Sequence, residues 1–131
     1  MDKDSTTPQP PDPRLRFPRS ARLRRNADFQ RVYREGSRER GRLVTLVAAP
    51  NGLEGSRLGV SVGRRFAKKA VDRNRAKRLM REAFRMERPT LAPGWDLVLI
   101  PAHPQAQLTL EALRTELALL AGKAASRRRP S

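Results

Sequence analysis

The sequence is poor in the side chains on which protein-based catalysis usually depends. It contains no cysteine, which excludes disulfides, cysteine-based zinc sites and thiol chemistry. Its single histidine, His103, has no second histidine or cysteine to act with and is predicted to be a solvated loop residue. There is no Walker-type phosphate loop, no Gly-rich dinucleotide turn, and no carboxylate pair spaced for two metals. The sequence therefore predicts a binding protein with no catalytic and no metal-ligating residues.

Long apolar segments are also absent. No run of 18 apolar residues occurs, so no membrane span is expected. The first residues lack the apolar core of a secretory signal, and we expect a cytoplasmic protein with no membrane partner. Hydrophobic residues make up only 37% of the 131 positions, which favours one domain with a modest core.

Positive charge is what the sequence has in excess. It carries 29 Lys and Arg residues against 13 Asp and Glu residues, a formal net charge of +16. Charge of this size indicates the kind of partner and not the fold, and it favours nucleic acid. A membrane surface is the weaker alternative, because the apolar face of the one strongly basic helix is small.

The composition divides the chain into three parts. Residues 1–13 hold four prolines and no large apolar residue after the first position, so they are predicted to form a disordered arm. Residues 14–121 are the predicted folded domain. Gly122 is predicted to end the last helix, which leaves residues 122–131 as a short basic tail.

Within the basic segment of residues 68–88, the part that follows Asp72 is predicted to form a two-faced helix, with Asp72 as an N-cap or first-turn residue. The apolar stripe consists of Ala76, Leu79, Met80, Ala83, Phe84 and Met86. The opposite face is basic, and it contains like-charged neighbours one turn apart such as Lys77 and Arg81. Such pairs destabilise a helix, so a face built from them is predicted to meet a polyanion.

Two further helices and three strands are predicted. A helix over residues 26–35 would be capped by Asn26 and followed by Gly36, and the last helix would be capped by Thr109. The strands are expected over residues 43–49, 57–63 and 95–100.

Two features allow two interpretations each. Phe29 and Tyr33 share one face of the first helix, and their spacing alone favours packing in the core. Gly59, Ser61 and Gly63 share one face of the second strand. These small residues indicate either a crowding neighbour or a surface that a ligand backbone can approach closely.

Four sequence blocks resemble one family. Residues 64–84 read RRFAKKAVDRNRAKRLMREAF and resemble the signature of the bacterial ribonuclease P protein component, with a basic loop, an R-N-R core and K-R-L-x-R-x-A-F. Three more blocks follow the family order: RLRRNADFQRVYREG (22–36), LGVSVGR (58–64) and LVLIPAHPQAQLT (97–109). The resemblance covers about residues 22–121.

The resemblance implies both a fold and a function. The family fold is an α/β (α+β) two-layer sandwich of order αβββαβα, with a left-handed βαβ crossover against the usual right-handed rule. The family acts as the protein subunit of ribonuclease P, an endonuclease that removes the 5′ leader of precursor tRNA. Its catalytic RNA holds the Mg²⁺ and performs the cleavage. The protein binds no cofactor itself, supports the RNA and holds the leader in a cleft beside the sheet.

The resemblance also implies two sets of site residues. Contacts with the RNA subunit are expected from Arg64, Arg65, Lys68, Lys69, Arg73, Asn74, Arg75, Lys77, Arg78 and Arg81. Leader contacts are expected from Phe29, Tyr33, Val47 and Ser61. The match moves Phe29 and Tyr33 from the core to the cleft, whereas Val47 stands at an often aromatic position and cannot stack.

Two other functions fit parts of the sequence. A non-enzymatic RNA-binding protein of ribosomal type has a similar composition, but it accounts for neither the R-N-R block nor the aromatic pair. A sequence-specific DNA-binding protein is disfavoured, because only Asn74 on the basic helix could read an adenine edge.

Overall fold

The computed structural model describes residues 17–104 and 106–127. Its regular elements are α1 (Asn26–Glu35), β1 (Ser37–Arg40), β2 (Val44–Pro50), β3 (Arg57–Val60), α2 (Ala70–Glu87), β4 (Trp95–Pro101) and α3 (Leu110–Arg127). Single 3₁₀ turns occupy Arg19–Ala21 and Arg88–Thr90. The order αβββαβα is confirmed. The predicted disordered arm, residues 1–13, lies outside the described residues.

The four strands form one sheet in the order β1-β2-β4-β3. The β1/β2 and β2/β4 pairs are antiparallel, and β3/β4 is parallel. Strand β1 was not predicted, because its sequence SRER has no apolar residue and only Glu39 is buried. It is an edge strand, where one solvated face and one free edge relax the demand for apolar side chains.

The crossover from β3 through α2 to β4 is left-handed, as the resemblance implies. Leu97 and Leu99 of β4 face α2, in a core cluster with Met80 and Phe84. Consider β4 running upward and viewed from the α2 side, toward which the Leu99 side chain points. For an L-amino acid in this orientation the backbone carbonyl of the same residue points to the right. The Leu99 carbonyl accepts a hydrogen bond from the Ser61 N–H at 2.9 Å, so β3 lies to the right of β4. The chain therefore passes from right to left in front of the sheet, against the usual rule.

The mixed α/β sandwich is confirmed by the element order and the single sheet, and the sheet has a core on each of its two faces. Helices α2 and α3 cover one face, and the largest side chains buried there are Phe84, Leu46, Leu58, Met80, Leu99, Leu113, Leu117 and Leu120. Helix α1 covers part of the other face over a smaller cluster, which consists of Leu23, Val32, Val47, Ala49 and Val98. The predicted stripe of α2 is confirmed for five of its six residues: Ala76, Met80, Ala83 and Phe84 are buried, and Leu79 packs partly buried against the same core. Met86 is partly buried and does not belong to that core.

The helix starts match the predicted capping residues only in part. Helix α2 begins at Ala70, before the predicted start; Asp72 lies in its first turn, which confirms the first-turn alternative, and it does not cap the helix. Asn26 is the first residue of α1 and not its cap. The Thr109 cap is confirmed, because the Ala112 N–H donates to the Thr109 hydroxyl at 3.2 Å.

A glycine is needed at position 36 because neighbouring atoms leave no room for a side chain, and not because the end of α1 needs a left-handed residue. Gly36 has an ordinary φ of −82°, so the left-handed C′ geometry typical of glycine is absent. A Cβ atom built there would lie 2.5 Å from the Val32 carbonyl oxygen and 2.9 Å from Val47 Cγ1. The glycine lets the chain turn directly from α1 into β1.

The prediction that Gly122 ends the last helix is wrong. Helix α3 continues through Gly122 to Arg127, and Ala124 is buried. The reason is packing: the last turns lie against β1, where Arg127 Nε forms an ion pair with Glu39 at 2.5 Å. Residues 122–127 therefore belong to the folded domain and not to a basic tail.

A carboxylate on α3 fixes the turn between β1 and β2. The Glu116 side chain accepts hydrogen bonds from the backbone N–H groups of Arg42 (3.0 Å), Leu43 (2.8 Å) and Val44 (2.8 Å). Gly41 leaves room for it, since a Cβ atom there would lie 2.5 Å from the Glu116 carboxyl carbon. Three backbone donors are thereby satisfied by one side chain.

Candidate nucleic-acid interface

The predicted RNA-contacting residues lie together on the loop after β3 and on α2. Eight of the ten are exposed, and Arg73 and Lys77 are partly buried. None of the ten forms an ion pair with an acidic residue of the described ranges. Glu82, at the margin of this face, is paired with Arg85 at 2.7 Å. The face therefore presents uncompensated positive charge, as its sequence predicted.

Arg73 holds the basic loop against the start of α2. Its Nη1 atom donates to the carbonyl oxygens of Ala67 at 3.0 Å and Lys68 at 2.7 Å. A guanidinium has five N–H donors, so the other nitrogens remain able to contact RNA. Arg73 thus positions Lys68 and Lys69 in addition to its predicted contact.

The tertiary structure adds a cation, Arg22, that the sequence did not single out. The Cζ atom of its guanidinium lies 4.6 Å from the centroid of the Phe17 ring. The Phe17 ring packs in turn against Phe84 of α2, with 5.4 Å between the two ring centroids. Desolvation, and then the positive charge of Arg22, lower the pKa of Arg81. Arginine remains protonated at neutral pH after such a shift, so both groups carry charge. Arg22 is about 60 residues away from Arg81 in the chain, so no helical or strand periodicity could have predicted that the two lie close together.

On the other face of the sheet, the aromatic pair is partly buried and partly exposed. The centroids of the Phe29 and Tyr33 rings are 6.4 Å apart and the rings are tilted by 51°. Both pack against the small core cluster beneath α1. The core and cleft interpretations are therefore compatible, because each ring contributes to the core and keeps some exposed surface.

Gly59 is explained by a neighbouring side chain. A Cβ atom there would lie 2.5 Å from Phe29 Cζ, so the glycine makes room for the phenylalanine ring. Crowding is confirmed at this position, and close approach of a ligand backbone to Gly59 is excluded by the ring. Gly63, two residues after Ser61, has open space where a Cβ would be.

Val47 and Ser61 occupy different environments on this face. Val47 has no exposed surface, since α1 and the small core cluster cover it. Ser61 is partly exposed beside Ile100, in the register that continues from the Val60/Leu99 pair. Leader contact at Val47 stays a prediction, and in this structure no part of its side chain is accessible.

The sheet register extends the Ser61 position into a row across all four strands. Thr45 is opposite Ile100, and Arg40 is opposite Thr45. We call Arg40, Thr45, Ile100 and Ser61 the cleft row. Cross-strand partners share a face of the sheet, and Ile100 packs against the cluster under α1. The cleft row therefore lies on the α1 face, beside the aromatic pair.

A buried carboxylate ties α1 to the sheet. Asp96 of β4 has no exposed surface and accepts hydrogen bonds from Arg57 Nε (2.8 Å), Arg57 Nη2 (2.6 Å) and Asn51 Nδ2 (3.0 Å). It also pairs with Arg31 of α1. Burial by itself raises the pKa of Asp96. The hydrogen bonds from Arg57 and Asn51 and the charges of Arg57 and Arg31 together lower it by more than burial raises it. The net pKa is below the ordinary value, and the ionised Asp96 fixes the helix that carries Phe29.

The two surfaces meet at the ends of the parallel strands. A cavity of about 400 Å³ is lined by Ser61 and Ile100 of the cleft row, by Arg65 of the basic loop and by the exposed His103. The described residues contain no group of His, Asp and Glu side chains that could hold a metal ion. Within the same residues no helix is long and apolar enough to cross a membrane.

These features define a class: a basic α/β protein with a strongly cationic helix on one face of its sheet and a partly exposed aromatic pair on the other. A family model described as Ribonuclease P matches residues 17–125. A ribonuclease P protein component from Picosynechococcus sp. is 33% identical over 101 residues, which is 77% of this chain and 87% of that protein.

Solved structures agree with the family match. The ribonuclease P protein from Thermotoga maritima has a TM-score of 0.69 and 33% identity, covering 77% of this chain and 96% of that chain. The Staphylococcus aureus protein has a TM-score of 0.67 and 30% identity, covering 79% and 96%. The chain belongs to the ribonuclease P protein family. It is a subunit of the holoenzyme that cleaves tRNA precursors, with a role in tRNA 5′ processing and an RNA partner.

Proposed function

We propose that the basic loop and α2 bind the catalytic RNA subunit of ribonuclease P, while α1 and the cleft row hold the 5′ leader of precursor tRNA. In this proposal the RNA subunit holds the Mg²⁺ and performs the hydrolysis. The chain contributes binding and orientation, and it acts in the cytoplasm.

The observation that carries the proposal is the junction between the two surfaces. Helix α2 and the aromatic pair lie on opposite faces of the sheet, yet Arg65 and Ser61 line one cavity. An RNA bound along α2 would therefore lie next to the entrance of the cleft. A single strand leaving a tRNA on that RNA can enter the cleft without crossing the sheet.

The chemistry of the cleft suits a strand of variable sequence. Phe29 and Tyr33 are partly exposed, and stacking on such rings contributes about 1–3 kcal/mol per base whatever the base is. The Ser61 hydroxyl can donate or accept one hydrogen bond. Val47 has no aromatic ring and no exposed surface, so in this proposal bases stack only at Phe29 and Tyr33 of α1.

Reconstitution tests the proposal. The chain is added to a bacterial-type ribonuclease P RNA at low Mg²⁺, and cleavage of precursor tRNA is measured. We expect faster cleavage and a product with the mature tRNA 5′ end. The Arg75→Gln/Arg78→Gln variant should lose most of the stimulation, whereas Lys123→Gln, an exposed charge on α3, should keep it.

Two results would count against the proposal. If no bacterial-type ribonuclease P RNA responds to the chain, the RNA partner is wrong. If the RNA that co-purifies with the chain from cells is ribosomal, the function as a scaffold of ribosomal type is favoured instead.

A further inference from the structure

The edge strand β1 turns two arginines toward the leader cleft. Along this strand side chains alternate between faces. Glu39 is buried on the α3 side, where it pairs with Arg127. Arg38 and Arg40 therefore face the α1 side, and Arg38 is opposite Val47, which lies in the cluster under α1.

These two arginines carry uncompensated charge. Both are exposed, and neither forms an ion pair with an acidic residue among residues 17–104 and 106–127. The one acid of their strand, Glu39, lies on the opposite face of the sheet, where it forms an ion pair with Arg127. The cleft side of β1 is thus purely cationic.

The backbone that carries Arg40 is held firmly. The turn after it is bound by Glu116 through three N–H groups, the nearest at Arg42. Strand β1 is paired with β2 over four residues, with Arg40 opposite Thr45. The position of the Arg40 backbone relative to the cleft row is therefore set by the sheet and not by a loose loop.

We propose that Arg38 and Arg40 bind phosphate groups of the precursor tRNA leader at the β1 side of the cleft. This inference rests on the proposed leader site and names the chemistry of its far end. From Ser61 to Arg40 the cleft row crosses three strand spacings, about 14 Å. A single strand that stacks at α1 and lies along the row can reach both arginines.

Phosphate is the group that this end of the cleft can recognise in every leader. Guanidinium groups bind phosphate oxygens through two parallel N–H donors, and phosphates are present whatever the base sequence. Val47, the apolar residue opposite Arg38, offers no accessible surface for stacking. Charge therefore takes the place of base contacts at β1.

A competing explanation is that the arginines only protect the edge of the sheet. Charged residues on edge strands prevent pairing with other chains. That role predicts a change in solubility on substitution and no change in leader affinity, so the two explanations are separable.

The test compares two RNAs with one holoenzyme. The reconstituted holoenzyme binds precursor tRNA with a leader of about ten nucleotides and the same tRNA without a leader, over a series of salt concentrations. For Arg38→Gln/Arg40→Gln we expect a roughly fivefold loss of affinity for the leader-bearing RNA only. Its salt slope should fall by about 0.7 for each phosphate that the variant no longer binds. Lys123→Gln is the matched control, and Arg38→Lys/Arg40→Lys should recover much of the slope because it keeps the charge.

Each other outcome has one meaning. If the wild type gains affinity from the leader and the Gln variant gains as much, the inference is overturned while the proposed leader site stands. An equal loss with both RNAs assigns the arginines to the RNA subunit or the tRNA body and also overturns it. A wild type that gains nothing from the leader refutes the leader site itself.

Discussion

Replacing Asp96 by Asn should destabilise the protein strongly. The carboxylate is fully buried between Arg57 and Arg31, and it accepts two hydrogen bonds from Arg57 and one from Asn51. An amide cannot replace it, because it carries no charge and its NH₂ group would face the guanidinium donors. Removing one partner of a buried ion pair costs about 3–5 kcal/mol.

The lower end of that range applies here. The side chains of Arg31 and Arg57 are 26% and 24% exposed, so water can partly solvate them after the carboxylate is removed. A loss of about 3 kcal/mol is a large share of the 5–15 kcal/mol typical of a folded domain. It corresponds to a fall in Tm of about 12 °C for a domain of this size.

Urea unfolding followed by circular dichroism measures the effect. The matched control is Glu54→Gln, which removes the same charge from an exposed loop residue and should change the free energy of unfolding by less than about 0.5 kcal/mol. A cost of less than about 1 kcal/mol for Asp96→Asn, with an unchanged m-value, would show that the buried carboxylate does not stabilise the fold as expected.

The pH dependence of the same variant gives an independent check. The pKa of Asp96 is lowered in the folded state, so its contribution is fully present above the ordinary aspartate pKa and is lost as pH falls through the lowered pKa. The stability difference between wild type and Asp96→Asn should therefore be constant from pH 5 to 7 and should shrink below about pH 3.9. A difference that grows in acid would contradict an ionised Asp96.

Four other substitutions probe the β1–β2 turn, the cleft and the basic face. Glu116→Ala leaves three backbone N–H groups without their acceptor and should cost about 1–3 kcal/mol in urea unfolding, against little for the exposed Glu111→Ala. Gly59→Ala should displace the Phe29 ring and cost about 1–3 kcal/mol, with leader affinity falling as well; an unchanged leader affinity would argue against a role for that ring. Arg78→Ala should lower the salt slope of RNA binding by roughly 0.7–0.9, whereas Phe29→Ala should weaken leader binding with little change in slope. Equal decreases in slope would contradict the division between the two surfaces.

Local patterns were sufficient wherever one element buries one face. The α2 stripe, the three apolar strands, the helix over residues 26–35 and the Thr109 cap were all predictable, because periodicity and capping act within a few residues. Strand β1 was not, since an edge strand with one buried residue has no apolar pattern. The end of α3 was also missed, because packing against β1 outweighs the weak helix propensity of Gly122.

The candidate site divides in the same way. The basic loop and α2 form one continuous segment, so the sequence sufficed to define that surface. Arg22, Arg38 and Arg40 reach the candidate surfaces, and the buried Asp96 reaches α1, only through contacts between distant segments. The burial of Val47 likewise depends on α1, which crosses over it.

The kind of partner, the family and the two-faced helix could be predicted from the sequence alone, because charge, motif order and helical periodicity are properties of neighbouring residues. Which side chains share the α1 face of the sheet, and what holds α1 in place, follow only from the fold. Sheet register and burial join residues dozens of positions apart, as Arg40 and Ser61 are joined through Thr45 and Ile100. Such pairings are chosen by the packing of the whole core, and no local pattern encodes them.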